Sequence, residues 1–571
     1  MRSNRPSESS GHKPNSGFAN TMTRPIVFDG RASPVKTALF VIICFAWLMP
    51  GLLGHDPWKP DEAMAMGIVY SMLTSVDAWL VPQIAGAVNI DYPPLYYWVA
   101  ALSAKLWSFA LPAHDGARLA SGMFMFVTIF YLYKSANKLF DERAGRIAVA
   151  LLIGSLGLLL RAHELNPEIA GLTGMAIAIY GLTRIRFEAR KGITVGIGAL
   201  VMALSIGLLP ALVVPVIALA MMAILHDWQN RAFSRGMLIC LAILLIGGSI
   251  YPLLLWFNGL LSSAMFFESV LGAPMFDTHL RTTIAPLYVF QILPWYALPT
   301  LPMAIWLWHR DRRIIRERIE LALPITTFGI LLIWTSLFRE GRDSAALLLL
   351  LPLALAAAHS LDRLPKGVAS FVDWFGLVFF GSAALALWLY WTAAVVGFPE
   401  GAARAVARAA PGFTFGLLWV PVVIAAALTA VWIYAVAMAH RNNRRAVVNW
   451  AAGMTLLWVL LNLLGLPAVD HVRSYRAPVS DVSTIVTQHQ TFIESRGCVI
   501  GMNIGEPQRA MFDYFSQLRF VAPKSNVASK CSWLLVQGTK ASEPDIPAPW
   551  VLHWQGARPG DKVEQFRLYR R

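Results

Sequence analysis

The run SRGMLICLAILLIGGSIYPLLLWF, from Ser234 to Phe257, decides the class of fold that this sequence adopts. It is longer than the roughly 20 apolar residues that cross a bilayer as one helix, and Arg235 is its only charged residue. Similar runs occupy Thr37–Gly54 and Asp373–Val396. Because many such runs follow one another, the sequence predicts a polytopic α-helical membrane protein and not a soluble domain with one anchor.

The composition supports a membrane domain and argues against nucleic-acid binding. Hydrophobic residues make up 57% of the 571 residues and charged residues 14%, whereas soluble domains carry about 25% charged residues. The formal net charge is +15, but the lysines and arginines lie in short clusters between apolar runs. That distribution is the positive-inside pattern of membrane proteins, and the sequence has no long basic stripe with interleaved aromatic residues.

The apolar runs predict about thirteen transmembrane helices. The segment Pro93–Leu111 is ambiguous, because its aromatic residues and Lys105 suit either another span or a helix lying in the membrane interface. If it lies flat, the basic clusters Lys134–Arg146 and Arg310–Glu320 fall on the cytoplasmic side, so we expect an interfacial or re-entrant helix. The expected spans are 37–54, 117–135, 145–161, 168–186, 192–206, 208–226, 236–257, 286–308, 321–338, 343–360, 373–397, 413–439 and 446–467.

The chain divides into three predicted regions. Residues 1–36 form a disordered cytoplasmic tail, and residues 37–467 form the transmembrane domain with a periplasmic first loop at 55–116. Residues 468–571 lose the long apolar runs, and an odd number of spans places this small α/β domain outside the cytoplasm. Its Cys498 and Cys531 could pair there, although spacing alone does not establish disulfide geometry. The predicted strands and helices are Cys498–Asn503, Trp533–Gly538 and Gln565–Arg570, and Val482–Ser495 and Glu506–Gln517.

The first loop carries two acidic sites. Asp61 and Glu62 open a helical pattern that runs to Leu73, and Asp91 precedes Pro93-Pro94. Apolar residues recur along that pattern at helical spacing, which predicts an amphipathic helix lying on the membrane. The two acids at its positive N-terminal end are either functional groups or simple capping carboxylates.

This loop resembles the first loop of the GT-C glycosyltransferases, specifically the aminoarabinose-transferase and protein O-mannosyltransferase group. The group's pattern reads roughly D-E-x-x-Y, then D-W-x-V-P, then E-K-P-P-L-x-Y-W. The match is ordered along the loop, and the span count, the interfacial helix and an external C-terminal domain resemble the aminoarabinose-transferase branch. The matching stretches are Asp61-Glu62-Ala63, Asp77-Ala78-Trp79-Leu80-Val81-Pro82 and Asp91-Tyr92-Pro93-Pro94-Leu95-Tyr96-Tyr97-Trp98.

The resemblance implies a sugar transferase at the outer leaflet of a bacterial inner membrane. Its donor would be a polyprenyl-phosphate-linked sugar, and its acceptor a lipid A-like glycolipid or a protein. Asp61 is then the first candidate for the catalytic carboxylate and Glu62 the second, because an acidic side chain can position or deprotonate an acceptor. Asp91 stands at the group's acidic position before Pro-Pro, where it could bind a divalent metal ion.

Further residues are expected to hold the donor phosphate or to assist catalysis. Glu164 lies two residues before Asn166, which stands where the group usually has Asp, and it could substitute for that acid. Arg342 matches a basic position of the group, and an arginine fork suits phosphate. The other candidates for the donor phosphate are Arg281, Lys59 and Tyr92, the last of which replaces the group's lysine.

The main alternative is a transporter or flippase of lipid-linked sugars. A transporter is expected to place charges at mid-membrane in broken helices of related halves. Here the ionisable residues gather at the ends of spans on one face, which favours catalysis at the membrane surface. The sequence has no P-loop, no GxGxxG after a strand, no HExxH and no Cys/His zinc spacing, so nucleotide-driven chemistry has no support.

Overall fold

A computed structural model gives the fold of this chain. It describes residues 34–89, 92–262, 266, 270–271, 285–338, 343–416, 418–438, 443–489, 498–516, 518–521, 523, 528–541, 546 and 548–571. The described residues are mostly helical. The helices are α1 (Pro34–Leu48), α2 (Asp61–Thr74), α3 (Leu95–Leu106), α4 (Ala113–Leu139), α5 (Glu142–Ile153), α6 (Leu156–Arg161), α7 (Pro167–Leu182), α8 (Lys191–Ile206), α9 (Leu208–Ala211), α10 (Val213–Ile224), α11 (Arg231–Phe257), α12 (Ala285–Tyr296), α13 (Thr300–Asp311), α14 (Ile319–Phe338), α15 (Leu347–Ser360), α16 (Lys366–Val396), α17 (Glu400–Ala409), α18 (Trp419–Met438), α19 (Asn443–Leu460), α20 (Leu466–Arg473), α21 (Arg476–Gln488) and α22 (Glu506–Ser516).

The predicted class of a polytopic helical membrane protein is confirmed. Within the described ranges, seven helices are long and apolar enough to cross a membrane. Each of the thirteen expected spans falls on one of these helices or on a shorter apolar helix or helix pair, such as α5 with α6 and α12 with α13. The exact number of thirteen spans stays a prediction, because several of these helices are shorter than a bilayer is thick.

The segment after the first loop is a short helix, as the charge distribution predicted. Helix α3 has 12 residues, about 18 Å of helix, against roughly 30 Å of hydrocarbon in a bilayer. One side of α3 packs against α4. Ala104 of α3 and Gly116 of α4 are in close contact, because a Cβ added at Gly116 would lie 3.0 Å from the Ala104 backbone. Its length therefore agrees with an interfacial helix and not with a span.

Helices α7 and α8 pack closely against each other in the transmembrane region. A Cβ added at Gly174 would lie 2.5 Å from the carbonyl oxygen of Gly198, and one added at Gly198 would lie 2.5 Å from that of Gly174. Small residues at such crossings let two helix backbones approach, which is how helices pack where lipid removes the hydrophobic drive. This pair fixes α7, and the start of α7 borders the candidate site described below.

The C-terminal region contains a five-stranded mixed sheet. Its strands are β3 (Cys498–Met502), β4 (Arg519–Val521), β5 (Trp533–Thr539), β6 (Val551–Gly556) and β7 (Glu564–Arg570), after a hairpin of β1 (Gln83–Ile84) and β2 (Ala87–Val88) in the first loop. The sheet order is β4-β3-β5-β7-β6. Strand β3 is parallel to its neighbours β4 and β5, whereas β7 is antiparallel to its neighbours β5 and β6. The three predicted strands are found, and Cys498 and Cys531 form a disulfide.

Helix α2 of the first loop is present, but the prediction that it lies on the membrane surface is wrong. Nine of its residues are buried, because α22 of the C-terminal region covers one side and α3 another. A Cβ added at Gly67 would lie 2.6 Å from the Cβ of Ala510, so the two helices touch at a glycine. The apolar pattern of α2 thus reflects contact with protein, which the sequence pattern does not distinguish from contact with lipid.

Ionic contacts join the first loop to the C-terminal region as well. Asp56 pairs with Arg476 and accepts a hydrogen bond of 2.6 Å from Ser474. Asp470 accepts hydrogen bonds of 2.9 Å from the Asp56 backbone and from the Trp58 indole. These contacts hold the start of α2, and therefore Asp61, in a fixed place.

Candidate active site

Asp61 and Glu62 are adjacent in sequence, but their side chains contact different arginines. Asp61 contacts Arg161 at 3.1 Å, whereas Glu62 contacts Arg118 at 2.5 Å. Successive side chains of a helix point in directions about 100° apart, so one acid faces a cleft and the other the protein interior. The doublet therefore contains two carboxylates in two different environments.

Arg161, the last residue of α6, holds together the cluster that contains Asp61. Its Nη1 lies 3.0 Å from Glu164 and 3.1 Å from Asp61, and its Nη2 lies 2.9 Å from Asp343. The side chains of these four residues keep between 17% and 38% of their surface exposed. We call Arg161, Asp61, Glu164 and Asp343 the open cluster.

Within the open cluster, the Glu164 carboxyl has a raised pKa. Burial raises the pKa of the Glu164 carboxyl to about 7, and the nearby Glu62 and Asp61 carboxylates act in the same direction. The charge and hydrogen bond of Arg161 oppose this rise only in part. Glu164 therefore changes charge near neutral pH, which is the range in which a carboxyl can exchange protons during catalysis.

A narrow, partly open cleft with a cavity volume of about 20 Å³ lies beside the open cluster. Asp61 contributes to its wall, and the start of α7 forms another part of it. The cleft has mixed chemistry, with apolar side chains of α2 opposite amide and phenol groups. Its lining residues are Asp61, Met64, Ala65, Ile68, Asn89, Tyr92, Tyr97, Asn166, Pro167 and Ser344.

The start of α7 places polar groups at the cleft. The Asn166 side chain caps the helix by accepting a hydrogen bond of 3.0 Å from the Glu168 backbone, and Pro167 occupies the first turn. The Tyr92 hydroxyl donates to the buried Glu168 carboxylate at 3.3 Å. Tyr92 is thus held at the wall of the cleft. Its predicted role is to contact the donor phosphate.

Glu62 belongs to a second cluster that is closed to solvent. The fully buried Arg118 donates to Glu62 at 2.5 Å, to Asp115 at 2.6 Å and to the His55 carbonyl at 2.7 Å. Burial acts against ionisation of Glu62, but the charge and hydrogen bond of Arg118, with smaller contributions from His55 and the Trp58 backbone, together outweigh it and hold the Glu62 pKa below its usual value. This carboxylate is permanently charged and paired, which favours a structural role over the predicted catalytic one. We call Glu62, Asp115 and Arg118 the closed cluster.

The structure places the remaining predicted residues apart from the cleft or does not describe them. The Lys59 ammonium lies 3.4 Å from Glu564 and 3.7 Å from Asp561, so two C-terminal carboxylates engage this predicted phosphate ligand. The predicted metal ligand and the two predicted phosphate-binding arginines fall outside the described residues. They are Asp91, Arg281 and Arg342.

Arg161 and Asp343 are the site residues that sequence reasoning missed. Arg161 ends an apolar run, and an ionisable residue at such a place is a signal of function. Asp343 follows Arg342, a predicted phosphate ligand, in the sequence. Only the fold brings Asp343 to Arg161, which is 182 residues away. Arg161 already supplies positive charge among three carboxylates, so the described part of the site does not fit a divalent cation.

Known proteins resemble this chain in sequence and in fold. A family model for dolichyl-phosphate-mannose-protein mannosyltransferase matches residues 91–256. The undecaprenyl phosphate-alpha-4-amino-4-deoxy-L-arabinose arabinosyl transferases of Pseudomonas aeruginosa strain UCBPP-PA14 and Pseudomonas paraeruginosa are 27% and 26% identical over 470 residues. Each alignment covers 78% of this chain and 78% of the relative.

Solved structures show the same fold over nearly the whole chain. The crystal structure of ArnT from Cupriavidus metallidurans bound to undecaprenyl phosphate matches with a TM-score of 0.67 and 17% identity, covering 94% of this chain and 98% of that one. Its apo form matches with a TM-score of 0.67 and 16% identity, covering 93% and 98%. The chain has the fold of the GT-C glycosyltransferases and is a membrane glycosyltransferase. The resemblance seen in the first loop is therefore confirmed, and so is the prediction of a multi-pass membrane enzyme.

In this glycosyltransferase the open cluster lies where the end of α6 meets the start of α2. The matched family segment, 91–256, includes Arg161, Glu164 and Asn166 but begins after Asp61. The site therefore combines a region shared with the mannosyltransferase family and a first loop held by the C-terminal region.

Proposed function

We propose that this GT-C glycosyltransferase moves a sugar from a polyprenyl-phosphate carrier to a lipid A-like glycolipid, with its active site on the periplasmic side. The names of its relatives favour undecaprenyl phosphate as the carrier and 4-amino-4-deoxy-L-arabinose as the sugar. The observation that carries the proposal is the open cluster, which places Asp61 at the wall of a cleft beside a raised-pKa acid.

The side of the membrane follows from charge. The basic clusters 134–146 and 310–320 lie at the helix ends opposite to the first loop, and basic loops face the cytoplasm. The first loop, with residues 55–116, and the α/β region, with residues 468–571, would then cover the cleft on the periplasmic side. The disulfide of Cys498 and Cys531 supports that side, because disulfides persist in oxidising compartments.

Asp61 acts on the acceptor in this proposal. An acceptor oxygen attacks the anomeric carbon of the sugar, the bond from that carbon to the carrier phosphate breaks, and its electron pair leaves with the phosphate. Where the acceptor is a hydroxyl, Asp61 takes its proton; where it is a phosphate, the acceptor is already ionised and Asp61 orients the sugar. Arg161 holds Asp61 at 3.1 Å, and binding of an anionic carrier near Arg161 would release the carboxylate from that pair.

The carrier phosphate needs positive charge and hydrogen-bond donors as the bond breaks. By resemblance, Arg342 and Arg281 supply the charge. Tyr92 stands at the cleft and can offer its hydroxyl only by exchanging its bond to Glu168.

The test is sugar transfer by the full-length protein in lipid vesicles, with a labelled polyprenyl-phosphate sugar and lipid A as acceptor. We expect Asp61→Asn to lower kcat about 10²- to 10⁴-fold, the usual contribution of a general base. Asp481→Asn, which changes an exposed carboxylate of α21, serves as the matched control and should retain activity. Full transfer by a correctly folded Asp61→Asn variant, or movement of the labelled lipid across the bilayer without product, would overturn the proposal.

A further inference from the structure

A second, larger recess lies far from the open cluster. It encloses about 560 Å³ between α1, α5 and α19. Arg143 lines it near the start of α5, whereas Arg161 of the open cluster ends α6. These two consecutive helices have 12 and 6 residues, which together give at most about 27 Å of rise. That length is close to the thickness of the hydrocarbon core, so the recess lies near the membrane face opposite to the candidate active site.

The mouth of this recess is strongly basic. Its described lining includes four arginines and no acidic residue, namely Arg143, Arg146, Arg444 and Arg445. Two of the guanidinium groups pair with carboxylates that are not among the lining residues, with Arg146 at 2.7 Å from Glu142 and Arg445 at 3.1 Å from Asp373. The mouth is therefore positive on balance, because the four arginines outnumber the two carboxylates that pair with them.

The deeper part of the recess is apolar. Along α5 the two arginines come first, followed by Ile147, Ala150 and Ile153 toward the membrane interior. Helix α19 shows the same order, with its arginines ahead of Val448 and Ala451, and Leu39, Phe40 and Ile43 of α1 form the third side. The recess is thus charged at the surface and apolar along its depth.

We propose that this recess, formed by α1, α5 and α19, binds one anionic phospholipid from the leaflet opposite to the active site. The lipid phosphate lies between the arginines, and one acyl chain runs down the apolar wall. Basic pockets between transmembrane helices on the cytoplasmic side suit anionic head groups, and the recess has that charge and that depth. The bound lipid would fasten α1 to α5 and α19, which are the helices lining the recess.

The experiment measures lipid binding to the purified full-length protein by native mass spectrometry in detergent. The probes are phosphatidylglycerol and phosphatidylethanolamine with identical acyl chains. The variant Arg143→Gln/Arg444→Gln removes two charges and leaves the Arg146–Glu142 and Arg445–Asp373 pairs in place. We expect it to bind phosphatidylglycerol about thirtyfold more weakly, since one arginine near an anionic lipid contributes roughly fivefold.

Arg312→Gln/Arg313→Gln is the matched control, because it removes two exposed arginines from another basic cluster on the same face. It should bind phosphatidylglycerol as the wild type does. Equal affinity for phosphatidylglycerol and phosphatidylethanolamine would overturn the proposal, because binding would then depend on apolar contact alone. Equal loss of binding in both double variants would also overturn it, because binding would then depend on the general surface charge.

The variant Ala150→Phe tests the apolar wall without changing any charge. Ala150 lines the recess and is partly exposed, so a phenyl ring there fills space that the acyl chain would use. We expect at least a tenfold loss of phosphatidylglycerol binding with an unchanged lipid-free melting temperature. Unchanged binding by Ala150→Phe would place the lipid elsewhere, and this variant also decides the matter if the double arginine variant does not fold.

Discussion

The closed cluster and the open cluster use the same chemistry in opposite ways. Both pair one arginine with carboxylates, and Asp61 and Glu62 link them through one peptide bond. In the closed cluster the side chains keep at most 8% of their surface exposed, whereas in the open cluster they keep 17% to 38%. The difference indicates that an arginine–carboxylate group is structural where it is dry and available for chemistry where it borders a cleft.

The physical reason is the cost of breaking each pair. Removing one partner from a buried ion pair leaves an uncompensated charge in a medium of low polarity, so Glu62 cannot leave Arg118. A partly exposed pair such as Arg161–Asp61 costs less to break, because water reaches both charges once they separate. Asp61 can therefore exchange Arg161 for a substrate group at small cost, which a catalytic carboxylate requires.

The largest effect is expected from breaking the closed cluster. Arg118→Met leaves Glu62 and Asp115 buried without their cation, which should cost about 3–5 kcal/mol of stability. We expect a much lower thermal melting temperature of the purified protein in detergent and a low folded yield. The same substitution at Arg161, in the open cluster, should leave the melting temperature almost unchanged. Similar losses in both variants would remove the distinction between the clusters.

The sequence predicted the helical membrane fold well, because long apolar runs have one stable solution in a bilayer. It also predicted the three C-terminal strands and the resemblance of the first loop to GT-C glycosyltransferases. It failed at α2, where Gly67 and its neighbours contact α22 and not lipid. It also placed Asp61 and Glu62 in one group, because local pattern does not show which arginine, from 56 or 100 residues away, each will contact.

Arg161→Gln is expected to lower activity while the fold is kept. The guanidinium contacts Asp61, Glu164 and Asp343 together, so its loss frees three carboxylates that then repel one another and the anionic carrier. We expect kcat to fall about 10²- to 10³-fold, as for the loss of one preorganised donor. The transfer assay in vesicles measures it, with Arg312→Gln on the opposite face as the control. Wild-type rates in Arg161→Gln would show that the open cluster is only a surface feature.

The position of α2 decides which acid faces which arginine, and Gly67 fixes that position. Gly67→Ala places a methyl group 2.6 Å from the Ala510 Cβ, so α2 must shift against α22 at a cost of about 1–3 kcal/mol. We expect a lower melting temperature together with lower activity. The double variant Gly67→Ala/Ala510→Gly moves the methyl group to the other helix and should restore both properties. Absence of rescue would mean that the two helices do not pack through this contact.

The smallest expected effect is a dependence of the rate on the charge of Glu164. Burial raises the Glu164 pKa to about 7, so this acid is mostly protonated at pH 6 and mostly ionised at pH 8. Ionised Glu164 competes with Asp61 for Arg161, which frees Asp61 to contact the acceptor, so kcat/KM should rise about tenfold over that interval. Because the pKa is raised in the folded protein, the same ionisation lowers stability as the pH rises from about 4.5 through 7.

Glu164→Gln should remove the inflection near pH 7, since the amide does not titrate while it can still accept a hydrogen bond from Arg161. Asp513→Asn is the matched control, because burial raises the pKa of that carboxyl to about 6 on α22, outside the open cluster. Its rate profile should keep the wild-type inflection. If instead Asp513→Asn flattened the profile and Glu164→Gln did not, the titrating group would belong to the contact between α2 and α22, and the open cluster would lose its acid with a neutral pKa.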